Sequence, residues 1–226
     1  MKIGLLLPGH PPDDVRPRLG DYGDMYERLL AGHGFTFARW EVVEGVFPQG
    51  PDAAEGWLVG GSRHGVYEDH AWIPRLEALI RDIHASGKPL VGICFGHQII
   101  AQALGGRVGK HPGGWALGHT VYDFTGTRLA LNAWHQDQVT EPPEGAEIVA
   151  STPFCAIAAL RLGNVFTVQP HPEFGAEMMQ ALYDYRAGPA GIPADRVAAA
   201  RTRLDRPTDS QAMADRIAAF FRQGAC

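Results

Sequence analysis

The chain has 226 residues, 45% of them hydrophobic, enough for one sizeable buried core. Its 25 acidic and 20 basic residues give a formal net charge of -5 and form neither a polybasic block nor an acidic tail, which argues against nucleic acid or an anionic membrane as partner. Cys94, Cys155 and Cys226 are too few and too scattered for a disulfide framework, so a reducing cytoplasm is the expected location.

Lys2 to Leu7 is an apolar run that stops at Pro8 with no small-residue cleavage site behind it, so it reads as a first strand and not as a signal peptide. An amphipathic stretch from about Asp21 to Ala31 follows, giving the strand-then-helix order of a parallel sheet. Phe35 to Val43 alternates as a second strand, and Gly56 to Val59 is a short third one. Trp72, Leu76, Leu79 and Ile83 then recur at helical spacing, with Pro74 tolerable only in the first turn and Gly87 and Pro89 ending the helix. Pro89 to Ile93 is a further strand, running into Cys94 and an apolar helix from Gln98 to Leu104 closed by Gly105 and Gly106.

From Trp115 to Val168 short apolar runs alternate with turn clusters such as FTGTR and EPPEGAE, which predicts antiparallel hairpins. Met178, Leu182 and Tyr185 mark the next helix, and Pro193 to Leu204 and Ser210 to Phe221 carry two more, the last burying Met213, Ile217 and one of Phe220 and Phe221. The expected fold is α/β, doubly wound around a mostly parallel, flavodoxin-like sheet, with an added antiparallel β region and C-terminal helices. No linker divides the chain convincingly, so residues 1–226 are expected to form a single domain, with 190–226 as its helical extension and AGPAGIPAD a loop before it.

Three short stretches carry the chemistry. In VGICFGHQ, Gly92 and Gly96 leave room for a strained strand-to-helix turn that would stand Cys94 at a helix N-terminus, where the dipole favours a thiolate. On this stretch alone a buried core cysteine remains equally open. In QPHPEF, His171 and Glu173 are two apart on an extended segment held by Pro172, so the carboxylate can orient the imidazole toward a thiol; a solvated loop is the bland alternative. In GWLVGGSRHGVYED a buried strand ends at Gly60 and Gly61, and the Gly61 N–H together with that of Phe95 could form an oxyanion hole. A phosphate cradle or a plain turn is the competing reading there.

Taken together, CFGHQ, GGS and QPHPEF resemble the nucleophile, oxyanion and His-x-Glu segments of the class I (triad) glutamine amidotransferase family, and among its members the glutaminase domain of GMP synthases; the resemblance runs from about residue 40 to 185. It implies Cys94 as nucleophile, His171 as general base and then acid, and Glu173 as orienting carboxylate. It also implies Gly61 and Phe95 as oxyanion amides, with Gln98, Gly60, His135 and Gln136 around the substrate. NAWHQDQV departs from the family's His-Gly pattern, because Gln136 stands where a glycine lets backbone approach the amino acid head group. His135 is expected to line the pocket and His97 to support it.

The remaining histidines show no metal spacing, so no metal and no cofactor is expected. The implied activity is hydrolysis of the γ-carboxamide of glutamine through a cysteine thioester, with ammonia passed to a separate synthase subunit. The alternative is a γ-glutamyl hydrolase or peptidase releasing a larger amine, which the Gln136 departure favours. A catalytically dead binding module would normally show a broken triad, and here all three positions are intact.

Overall fold

A computed structural model describes residues 1–223; Cys226 lies outside them. The continuous apolar runs become strands buried on both faces, as a parallel sheet covered by helices requires: β1 (Lys2–Leu6), β3 (Gly56–Val59), β4 (Leu90–Ile93) and β11 (Val165–Val168). With β2 (Thr36–Trp40), β9 (Glu147–Ala150) and β10 (Ala159–Leu162) they form one seven-stranded sheet in the order β2-β1-β3-β4-β11-β10-β9. The first five strands are parallel, and β10 and β9 add an antiparallel edge. This is the doubly wound, flavodoxin-like architecture, with the strand order reversing at β1.

The helices divide between the two faces. Leu6, Trp57, Val59 and Leu90 point toward α3 (Trp72–Ala85) and α4 (Phe95–Ala103), which bury Leu76, Ile80, Ile83, Ile99 and Ile100 against them. Ile3, Leu5, Leu58 and Ile93 alternate to the other face, under α2 (Tyr22–Leu29), α5 (Ala176–Tyr185) and the C-terminal α7 (Ser210–Gln223). Asp21 and Asp24 close a capping box at the start of α2. Both Phe220 and Phe221 of α7 are buried, whereas Tyr185, expected to join the face of Met178 and Leu182, is exposed at the end of α5.

A short α1 (Arg16–Leu19) precedes α2, and α6 (Ala194–Arg201) precedes α7. The predicted hairpin region contains β5 (Arg107–Lys110) paired with β8 (Asp137–Glu141), and a long hairpin of β6 (Ala116–Phe124) and β7 (Thr127–His135). Thr125 and Gly126 turn that hairpin with φ of 46° and 94°, the left-handed pair that matches strand twist. No helix among the described residues is long and apolar enough to cross a membrane.

Candidate active site

β3, β4 and β11 are neighbours and parallel, so the segments that follow them emerge together at the carboxyl edge of the sheet. Register pairs Ile93 with Val168, and Cys94 N–H donates to the Val168 carbonyl at 2.9 Å. Three stretches far apart in sequence thereby become one site.

Cys94 is the N-cap of α4 and has φ 55° and ψ -105°, a conformation a non-glycine residue holds only under strain. The two glycines permit it for a concrete reason: a Cβ on Gly96 would collide with the Val59 carbonyl, and one on Gly92 would lie 2.5 Å from the Gly96 oxygen. The helix therefore begins at Phe95, three residues before the expected Gln98, because the apolar pattern does not register the sharp turn in front of it. Phe95 N–H, in the first turn, meets no acceptor among the described residues.

His171 is buried, and its Nδ1 lies 2.7 Å from Glu173 Oε1, whose side chain is fully buried. Its backbone N–H donates to the Asn132 carbonyl of β7, Asn132 Nδ2 donates to the Phe174 carbonyl, and the ring stacks on Phe174 at 4.0 Å between centroids. The other nitrogen, Nε2, has no hydrogen-bond partner among the described residues. Burial alone would lower the pKa of this ring, but the charges of Cys94 and Glu173 outweigh it and push it up to about 10. The imidazole is thus suited to hold a proton beside a thiolate and to release it to a departing amine.

The glycine loop differs from expectation. Gly61 N–H donates to Tyr26 Oη at 2.9 Å, and Gly60 N–H donates to the Leu6 carbonyl, so neither amide is presented to the cavity. Gly60 is spent on sheet continuity and does not line the cavity, whereas Ser62, Arg63, His64, Gly65 and Glu68 from the same loop do. Gly61 still abuts the imidazole, since a Cβ there would lie 3.2 Å from His171 Cε1. The same Tyr26 hydroxyl reaches Glu173 Oε1 at 3.3 Å and so ties the loop to the carboxylate. Periodicity marks Tyr26 only as a core residue of an amphipathic helix.

Cys94 and His171 open on a cavity of about 370 Å³. Gln98, His135 and Gln136 line it as expected. Gln98 has both amide protons committed, to the Asp137 carbonyl at 2.8 Å and Gln169 Oε1 at 3.1 Å. His135 is buried, and desolvation pulls its pKa down to about 3, so it is neutral there. His97 does not line the cavity; its ring is held by Thr167 Oγ1 and the Ile157 carbonyl, and burial lowers its pKa to about 4.

The sequence did not disclose the rest of the wall. Trp115 and Trp134, packed at 5.6 Å, come from the start and end of the β6–β7 hairpin, and Leu182 and Arg186 come from α5 and the residue capping it. Arg186 forms no ion pair among the described residues. Nor did the sequence disclose that the loop after β3 gathers His64, Glu68 and His70 with their donor atoms within 4.8 Å of one another.

Comparisons with known proteins identify the family and the fold. Residues 56–183 match the family described as glutamine amidotransferase class-I. The chain is 30% identical to gamma-glutamyl peptidase 4 of Arabidopsis thaliana over 81% of its own length and 80% of the relative's. It is 35% identical to a glutamine-hydrolysing GMP synthase of Caldicellulosiruptor saccharolyticus, spanning 71% of this chain but only 34% of that protein. A Thermotoga maritima glutamine amidotransferase crystal structure superposes with a TM-score of 0.77 at 20% identity, covering 100% of this chain and 98% of that one.

Proposed function

The chain belongs to the class-I glutamine amidotransferase family, and from that premise we propose that it is a cysteine-dependent amidase cleaving γ-glutamyl amides whose leaving amine is larger than ammonia. The observation that carries this reading is the strained Cys94 beside the His171–Glu173 pair at the edge of a roomy, aromatic-walled cavity.

In the proposed reaction the Cys94 thiolate attacks the γ-carbonyl and a tetrahedral oxyanion forms beside the Phe95 amide at the N-terminus of α4. Gly61 N–H can serve as a second donor only by exchanging Tyr26 Oη for the oxyanion. Collapse breaks the C–N bond as His171 delivers its proton to the amine, leaving a γ-glutamyl thioester. Water, deprotonated by the now neutral imidazole, then resolves the thioester to glutamate and free thiol. Glu173 keeps the proton of the neutral ring on Nδ1, so that Nε2 faces the reacting atoms.

Size and lining support the larger leaving group. A cavity of 370 Å³ falls in the roughly 300–1,000 Å³ range of sites that hold drug-sized ligands. Trp115, Trp134 and Leu182 offer an apolar wall for an amine substituent, and the Arg186 guanidinium, without an ion pair among the described residues, is placed to hold a carboxylate. The second reading, glutamine itself with ammonia passed to a separate synthase subunit, draws on the similarity to GMP synthases.

The test is release of ammonia and amines from a panel of glutamine and γ-glutamyl dipeptides, with Cys94→Ala as the control. Faster turnover of the peptides, abolished in the control, is expected. Turnover of glutamine alone, rising when a synthase is supplied, would select the second reading, and activity surviving in Cys94→Ala would refute both.

A further inference from the structure

The loop between β3 and α3 holds a donor group that the thiol chemistry leaves unused. We propose that His64, Glu68 and His70 form a binding site for a divalent transition-metal ion, zinc by donor preference, at the mouth of the cavity that contains Cys94.

Both imidazoles converge on one atom. His64 Nδ1 and His70 Nε2 each lie 2.9 Å from Glu68 Oε2, and the two rings stand 4.3 Å apart at 71°. Two imidazolium ions at that distance would repel each other, so the trio is poorly built as a pair of ion bridges. One shared cation satisfies all three donors at once. Bonds of about 2.0–2.1 Å in a tetrahedral zinc site place neighbouring donors about 3.3 Å apart, so the two imidazole–carboxylate distances need to open by only ~0.4 Å, and the two ring nitrogens already lie within 4.8 Å of each other.

The loop already holds the donors in place. Gly65 N–H fixes the other Glu68 oxygen at 2.8 Å, and His70 N–H donates to the Glu68 carbonyl. His64 N–H is held by Ser62 Oγ, which in turn donates to the Pro8 carbonyl at 2.7 Å. The His70 ring lies nearly parallel to that of Trp72, 11° apart in plane. Such outer contacts are what orient metal ligands. With the metal on Nδ1 of His64 and Nε2 of His70, the ring protons move to the opposite nitrogens.

Partial exposure provides an entry path and a fourth position for water, with the Glu68 side chain 41% and His70 37% accessible. Two imidazoles and one carboxylate with an open position suit zinc or cobalt better than calcium or magnesium, which prefer oxygen alone. His64 and Glu68 line the catalytic cavity, so a bound ion would add positive charge at its entrance.

The decisive experiment is titration of the Cys94→Ala protein with Zn²⁺ by calorimetry and with Co²⁺ by visible absorption, since that background removes the catalytic thiolate as a competing ligand. One ion per chain is expected, with the ligand-field band of a low-coordinate cobalt site. His70→Gln and Glu68→Gln should each weaken binding at least tenfold, because even loss of an outer contact to a ligand typically costs about 10- to 100-fold. Metal-free melting temperatures of the two variants serve as the folding control. Unchanged affinity in both variants, or zinc binding seen only when Cys94 is present, would overturn the proposal.

Discussion

Substitution of Glu173 by glutamine isolates what the carboxylate does, because the two side chains are nearly isosteric and the change removes one buried charge 2.7 Å from His171 Nδ1. Burial lowers the pKa of the imidazole, and the Cys94 and Glu173 charges together raise it to about 10. With the charge centres about 4 Å apart and an effective dielectric of about 20, the carboxylate contributes ~4 kcal/mol, or about 3 pH units. In Glu173→Gln the His171 titration should therefore fall from about 10 toward neutrality. Leaving-group protonation needs the imidazolium, so the descending limb of the kcat/KM profile moves down with it. The amide can also present N–H to Nδ1 and trap the wrong tautomer, a change that costs on the order of 10⁴-fold in kcat in triad enzymes. NMR titration of the His171 ring resonances reads the first effect without turnover, and steady-state amine release against pH reads the second. A ring midpoint within about half a unit of wild type would refute the electrostatic reasoning.

Gly96→Ala should cost about 3 kcal/mol or more in urea unfolding, because the new methyl meets the Val59 backbone and not a movable side chain; a wild-type midpoint would show that the turn can relax. Tyr26→Phe should cost ~1–3 kcal/mol by the same assay, since Gly61 N–H loses its buried acceptor, and an equally stable variant would mean that the amide finds another. His97 and His135 have folded pKa values lowered to about 4 and about 3, so the unfolded chain binds their protons first and stability drains as pH falls below about 6.5. At pH 5 each loses about 2 kcal/mol, and calorimetric melting at pH 7 and pH 5 checks it; an unchanged melting temperature would contradict their neutral burial.

What was legible in the sequence was what a short segment carries by itself. The buried strands, the glycines around Cys94 and the His-x-Glu spacing each state a local requirement, and neighbouring parallel strands bring those segments together. Backbone strain escaped the pattern, which is why α4 begins at Phe95 and not at Gln98. Tyr26 and Glu173 lie 147 positions apart, and nothing in an amphipathic repeat says that one tyrosine will spend its hydroxyl on both a glycine amide and a carboxylate. His64, Glu68 and His70 sit in a turn-rich loop whose spacing matches no helical or finger-like ligand set, and only the folded loop turns their donors toward one another.

This division between local and long-range information separates reaction from specificity. Cys94, His171 and Glu173 are held by the sheet edge and its following turns. Trp115 and Trp134 come instead from the β6–β7 hairpin, and Leu182 and Arg186 from α5 and its cap. Apart from Asn132 of β7, which braces His171, hairpin and helix can change length or lining without moving the register of β4 on β11, so the proposed thiol chemistry can persist while the accommodated amine differs. The family's two kinds of relative fit that logic, one named for glutamine hydrolysis inside a synthase and the other for γ-glutamyl peptide cleavage. On the proposed reading, the residues that decide the amine are those of the cavity wall, foremost the two tryptophans and Arg186, which forms no ion pair among the described residues.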